Sequence, residues 1–119
     1  MTFTPAPIKP SIEMADLEKI DVRVGTILSV HEMANSDKLM KLVVSFGDHH
    51  RTIIAGIKQE RETPKEIEGK QALFVVNLPP RKMRGEVSEG MLFDIGYADG
   101  LTPVLAVTEK IISDGARAG

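Results

Sequence analysis

The segment DVRVGTILSV (residues 21–30) constrains the fold more than any other part of the chain. Val22 and Val24 alternate with the charged Asp21 and Arg23, the period of a half-buried strand. Beyond Gly25 the apolar positions become Ile27, Leu28 and Val30, so the phase slips. A bulge or sharp bend at Gly25 reconciles the two halves. A long strand bent at a glycine is how a small barrel turns a corner.

The strands that follow fit such a barrel. LMKLVVSF (39–46), RTIIAG (51–56), KQALFVVNL (70–78) and SEGMLFDIG (88–96) each read as a strand. ANSDK (34–38) is a polar loop, and GDHH (47–50) a hairpin turn. Between the third and fourth strands the punctuation predicts a short helix over 64–68. Thr63 is its N-cap, Pro64 its first residue, Glu66 completes a capping box, and Gly69 ends it. Three strands, a short helix and two strands describe an all-β fold, the five-stranded Greek-key barrel of the OB-fold. LTPVLAV (101–107) adds C-terminal strands beyond that minimum. Residues 1–12 hold three prolines and read as a flexible or extended lead-in. EMADLEKI (13–20) can form one helical turn, with Met14, Leu17 and Ile20 on one side. With 119 residues and no internal repeat, 13–119 is expected to be one domain.

Composition narrows the function. Lys and Arg number 15 against 17 Asp and Glu, a formal charge of −2, so a site for a polyanion has to be local. Without cysteine there are no disulfides and no thiolate metal sites. Prolines interrupt the N-terminus where a signal peptide needs an apolar stretch. No apolar run nears the roughly 18 residues of a membrane helix. The expectation is a soluble cytoplasmic protein with no membrane association. Of the histidines, His49 and His50 are neighbours in a turn and point apart, a poor metal pair, and His31 is expected at the surface. No nucleophile elbow, phosphate loop or zinc-protease motif occurs, and Ser88 has no visible base partner. The expectation is a non-catalytic protein without metal or cofactor.

Binding remains, and NLPPRKMRGEVSEGM (77–91) is where the charge gathers. Arg81, Lys82 and Arg84 surround Met83. Pro79 and Pro80 restrict the backbone before them, and Gly85 lets it turn after them. A methionine flanked by cations can pack on a base or ribose while the cations reach phosphates. The alternative is a solvated loop with ordinary surface charge. Aromatic residues make up 4% of the chain, and Phe46, Phe74 and Phe93 read as core. Few remain for stacking on single strands. Shape recognition of a folded RNA, with one or two exposed bases, suits this chain better.

Five blocks then carry a resemblance: LEKIDVRVGTI (17–27), NSDKLMKLVVSFG (35–47), RTIIAGI (51–57), IEGKQALFVVNLPPRKMRGEVSEGM (67–91) and SDGARAG (113–119). In these the chain resembles the tRNA-binding domain family, OB-fold modules found at the C-terminus of bacterial methionyl-tRNA synthetases, as synthetase-associated chains, and as free-standing tRNA-binding proteins. The resemblance implies structure-dependent binding of the tRNA elbow, where the D and T arms meet. It assigns contacts to Lys82, Met83 and Arg84 in the KMRG motif, to Ser88 and Met91 in SEGM, and to Asn77 before the prolines. It adds Arg23 in the first strand, and Asn35, Ser36 and Lys38 in the first loop. Structural alternatives stay open. Arg23 can instead pair with Asp21 or Glu32, Asn35 and Ser36 can shape their turn, Asn77 can hold the loop through backbone hydrogen bonds, and Ser88 and Met91 can line the barrel. Arg51 is a weaker candidate.

The resemblance also implies a homodimer, with Leu101, Val104, Leu105, Val107, Ile111 and Ile112 of the tail as its interface. No synthetase catalytic domain is present in the 119 residues. The chain is therefore expected to be a free-standing tRNA binder, a separate subunit working with a methionyl-tRNA synthetase catalytic chain, or an excised C-terminal piece. A secretion-chaperone relative that binds peptides is the competing reading. Those relatives share the barrel and lack the KMRG loop.

Overall fold

A computed structural model describes residues 3–119. Met1 and Thr2 of the expected lead-in lie outside the described residues. From Phe3 to Glu13 the chain is exposed and forms neither helix nor strand. One helical turn, α1 (Met14–Leu17), follows, and Met14, Leu17 and Ile20 are all exposed.

The first strand is the long one. β1 (Val22–Glu32) pairs along its first half with β4 (Gln71–Val75) and along its second half with β2 (Met40–Ser45). β3 (His50–Ala55) lies beyond β2, and β7 (Met91–Leu92) beyond β4. The order β3-β2-β1-β4-β7 makes a curled antiparallel sheet, which fits the expected OB-type barrel. β2 alternates buried and half-buried residues throughout, as a strand with one face on the core does. Ile27, Val30, Leu42, Val44, Ile53 and Phe74 fill the interior with no exposed surface. Phe46 meets Phe74 edge to face, with 5.6 Å between ring centres.

The bend in β1 is real, but it falls later than the sequence suggests. Thr26 and Ile27 pair with Ser45 and Val44, whereas Ser29 pairs with Val43. Leu28 is the extra residue of a bulge and turns outward. Gly25 answers a different need. A Cβ there would lie 2.5 Å from Val44 Cγ1 and 2.9 Å from Phe46 Cε1, so glycine is what lets these two side chains pack against the β1 backbone. Groups from the 64–70 segment take up backbone partners around the bulge. Val30 N–H donates to Glu68 Oε2 (2.8 Å), Gly69 N–H donates to Ile27 O (2.7 Å), and Ile27 N–H donates to Lys70 O (2.9 Å).

Other expectations change in detail. The segment over Pro64–Ile67 is a 3-10 turn, and Thr63 makes no side-chain cap. Its closing bond is Glu66 N–H to Thr63 O, so burial of Ile67 under the barrel holds it rather than a capping box. The expected fifth strand over 88–96 breaks into pieces. β5 (Arg81–Met83) pairs with β6 (Glu86–Ser88) as a separate ribbon, β7 joins the sheet, and β8 (Asp94–Ile95) pairs with β9 (Val104–Leu105). Leu92 points inward, which turns its neighbour Phe93 out at 46% exposure. Phe93 is therefore not a core residue.

The C-terminal tail is tied back by hydrogen bonds. Gln71 Nε2 donates to Ile112 O (2.6 Å), and Ile112 N–H donates to Gln71 Oε1 (3.1 Å). Thr26 Oγ1 donates to Asp114 Oδ1 (2.6 Å). β10 (Arg117–Ala118) lies against the start of β1. Val104, Val107, Ile111 and Ile112 meanwhile stay exposed.

Phe74→Ala should destabilise the chain by about 3–5 kcal/mol, the usual result of emptying a filled aromatic site. Urea unfolding followed by circular dichroism measures it.

Candidate nucleic-acid interface

The basic segment is a β-hairpin rather than a loop. Met83 and Glu86 flank a two-residue turn at Arg84 (φ 50) and Gly85 (φ 86), both left-handed. A turn with two positive φ values matches the twist of the paired strands. Arg-Gly can form this turn, but Arg lacks the turn signal that Asn or Asp would give. Successive residues face opposite sides of a ribbon. Arg81 and Met83 therefore share one face, Lys82 takes the other with Val87, and Arg84 sits exposed at the tip.

The foot of the hairpin is clamped to β3. Ile54 N–H donates to Ser88 Oγ (2.9 Å), and that hydroxyl donates to Gly90 O (3.0 Å). Glu89 N–H donates to Thr52 O (2.8 Å), and Thr52 N–H donates to Glu89 Oε1 (3.0 Å). Arg51 Nη1 donates to Val76 O (2.7 Å) and Glu89 O (3.0 Å). Higher up, Lys41 Nζ reaches Glu86 Oε1 at 3.0 Å. The proline-flanked segment thus stands on a rigid base.

The loop after β1 is also shaped from within. Asn35 takes a left-handed φ of 61. Ser36 Oγ accepts from Lys38 N–H (3.3 Å) and Leu39 N–H (3.0 Å). Gln59 Nε2 donates to Asp37 O (3.0 Å), joining the loop to the segment after β3. Lys38 is left exposed.

Between loop and hairpin opens a cleft of about 850 Å³, lined among others by Lys38, Arg81, Met83, Met91, Phe93 and Tyr97. Three of the sequence candidates, Lys38, Met83 and Met91, come together here. Lys82 and Arg84 stand on the same hairpin, away from that lining. The remaining candidates hold the frame. Ser88 is 3% exposed with its hydroxyl donating and accepting within the protein, so it offers no surface to a ligand. Asn77 accepts from Asp21 N–H (2.9 Å) and donates to Lys19 O (2.6 Å). Arg23 donates to both carboxylate oxygens of Asp21 (2.9 and 3.1 Å) and to Gly115 O (3.4 Å). The hydrogen bonds from Arg23 hold the Asp21 carboxyl at about 2, helped by Arg117 and against its partial desolvation. Arg23 is thus the strand cation partnered with Asp21.

Arg81, one of the three cations read from the sequence, shares a face with Met83, which is visible only once the segment is seen as a ribbon. Sequence reading did not place other cleft residues. Phe93 and Tyr97 (74% exposed) supply aromatic surface. Glu60 and Asp94 also line the cleft, and burial pushes both carboxyls above the usual range, with the Asp94 charge adding to the effect on Glu60. Among the described residues, no group of three or more His, Cys, Asp or Glu could hold a metal ion. Among the same described residues, no helix is long and apolar enough to cross a membrane.

The model of the family described as "Putative tRNA binding domain" matches residues 22–117. The chain belongs to that family. It is 41% identical over 111 residues to the methionine–tRNA ligase of Parabacteroides distasonis, covering 93% of this chain and 16% of that enzyme. The Bacteroides fragilis ligase is 42% identical over 99 residues, covering 83% of this chain and 14% of the enzyme. The chain thus spans about a sixth of the length of these curated relatives. Among solved structures, a methionyl-tRNA-synthetase-related protein from Pyrococcus horikoshii superposes with a TM-score of 0.85 at 32% identity, over 93% of this chain and all of that one. The chaperone CsaA from Picrophilus torridus superposes with a TM-score of 0.79 at 28% identity, over 92% of this chain and all of that one.

Two outcomes follow. Ser88→Ala leaves the Ile54 N–H unpaired inside the protein and should destabilise by about 1–3 kcal/mol, read by urea unfolding. Asp21 is depressed in the folded state, so its stabilisation is full above the unfolded value near 4 and fades as pH falls toward 2. Asp21→Asn should flatten that part of the stability–pH curve in acid titrations followed by circular dichroism.

Proposed function

We propose that the chain is a non-catalytic tRNA-binding module that engages folded tRNA at its elbow. It acts in the cytoplasm as the C-terminal domain, a separate subunit or a free-standing companion of a methionyl-tRNA synthetase. The observation that carries this reading is the cleft that joins Lys38, Arg81 and Met83 between the first loop and the hairpin. In OB barrels the loops after strand one and between strands four and five are the ones that hold oligonucleotides, and the loop and hairpin occupy those places here. Lys82 and Arg84 extend the positive surface along the ribbon, in a chain whose net charge of −2 gives no general attraction to polyanions. The elbow itself rests on the family resemblance.

Dimerisation belongs to the same reading. Val104, Val107, Ile111 and Ile112 are 51–90% exposed on the tail, next to strands already fixed to the barrel. A second copy covering them would place two RNA surfaces on one particle and raise avidity.

The competing reading is a peptide-binding chaperone, favoured by the superposition on CsaA. Competition separates the two, since capture of unfolded chains that ignores added tRNA would support the chaperone.

The double variant Lys82→Gln, Arg84→Asn tests the tRNA site. Asparagine suits the left-handed φ at residue 84, so the turn survives. Gel-shift titration should show affinity for tRNA about tenfold or more weaker, and a log K–log salt slope shallower by about 1.5. Unchanged affinity and slope would remove the hairpin from the interface.

A further inference from the structure

The cleft carries more than a positive surface. Its lining joins two cations, Lys38 and Arg81, to two aromatic residues, Phe93 and Tyr97. Two carboxylates lie within it. The Glu60 side chain is only 12% exposed, and Asp94 is half-buried. Among the described residues, no other residue donates a hydrogen bond to either carboxylate. Arg61 stays 3.6 Å from Glu60 Oε1, and its own buried Nη1 has no hydrogen-bond partner. The carboxylate oxygens of Glu60 and Asp94 line the cleft as acceptors without a hydrogen-bond donor from another side chain, so a ligand that brings donors fits them.

A nucleotide has the matching polarity. Its phosphate is anionic and its ring stacks on aromatic faces. The Watson–Crick edge decides which base fits. Guanine presents two adjacent donors, N1–H and the N2 amino group, spaced for the two oxygens of a carboxylate. Adenine and cytosine present one amino donor beside a ring acceptor that a carboxylate repels. Uracil presents one N–H between two carbonyl oxygens. A cationic peptide side chain would also satisfy the carboxylates, but Lys38 and Arg81 in the same lining would repel it.

We propose that the cleft is a base-reading pocket for one unstacked guanine, with Glu60 and Asp94 as hydrogen-bond acceptors, Phe93 and Tyr97 as stacking surfaces, and Lys38 and Arg81 at the flanking phosphates. The proposal rests on the tRNA-binding reading and deepens it. Folded RNAs are read by shape plus the few bases splayed out of their stacks. A guanine pocket would let the chain sense one such base without reading the anticodon.

Titration of the 119-residue chain with guanosine, inosine and uridine monophosphates, followed by amide shifts, tests this directly. Half-saturation of the shifts at Phe93 and Tyr97 should come at a guanosine concentration at least about tenfold below that for uridine. Inosine, which lacks the N2 amino group, should fall between them. Tyr97→Ala, at an exposed position, should weaken all three by about fivefold or more and keep their order. Glu60→Gln with Asp94→Asn should bring the guanosine-to-uridine ratio to about one. Equal half-saturation by the three nucleotides would overturn the pocket. So would shifts produced by an arginine-rich peptide and not by nucleotides. A parallel gel shift with tRNA keeps the two claims apart. Binding of tRNA without nucleotide preference defeats the pocket alone, and no binding of tRNA defeats the functional reading with it.

Discussion

Gly25 sits where β1 packs tightly on the side chains of Val44 and Phe46, with no room for a side chain of its own. That close approach lets one strand serve two neighbours. The first half of β1 hydrogen-bonds to β4 and the second half to β2, and the bulge at Leu28 takes up the change of direction. The curl of the sheet follows, and with it the position of β3 beside the foot of the hairpin. Without the curl, Ser88 and Glu89 could not reach Ile54 and Thr52. The basic hairpin would then be a flexible loop, and its charges would have no fixed geometry.

The polar residues near the hairpin divide by their hydrogen bonds. Ser88, Glu89 and Arg51 clamp its foot, and Asn77 ties the end of β4 to the backbone on either side of Ile20. Arg23 and Arg117 close the terminal strand onto Asp21. Each of these carries a structural hydrogen bond within the protein. Lys38, Arg81, Lys82, Arg84 and Met91 are exposed, with Met83 half-buried beside them. A net charge of −2 makes this separation useful, because phosphate attraction arises only where the frame holds cations together.

Much of this was legible from residue order. The alternation over 21–24 and the phase slip after Gly25 pointed to a bent barrel, because burial on one face imposes a period that sequence preserves. The slip could not say which residue was extra. Gly25 looked like the hinge, yet its smallness serves packing, and Leu28 is the residue that leaves the register. The hairpin was hidden because its turn is Arg-Gly, where left-handed geometry is imposed by the paired strands rather than by a strong turn former. Phe93 looked like core because apolar residues surround it, and the short β7 turns it outward beside Leu92. The alternative given for Arg23, a pair with Asp21, is the arrangement found, and the same holds for Asn77 bound to backbone. Glu60 and Asp94 lie far apart in sequence, and no local pattern connects them.

The central claim is that a rigid basic hairpin and a neighbouring cleft recognise the shape of a folded tRNA. Filter binding of native tRNA, the same tRNA denatured, and a duplex RNA of equal length, at two salt concentrations, tests it most directly. The account predicts the tightest binding for native tRNA at both salt concentrations, with all three weakening as salt rises. Equal binding of the three RNAs would contradict it and leave only a nonspecific basic patch.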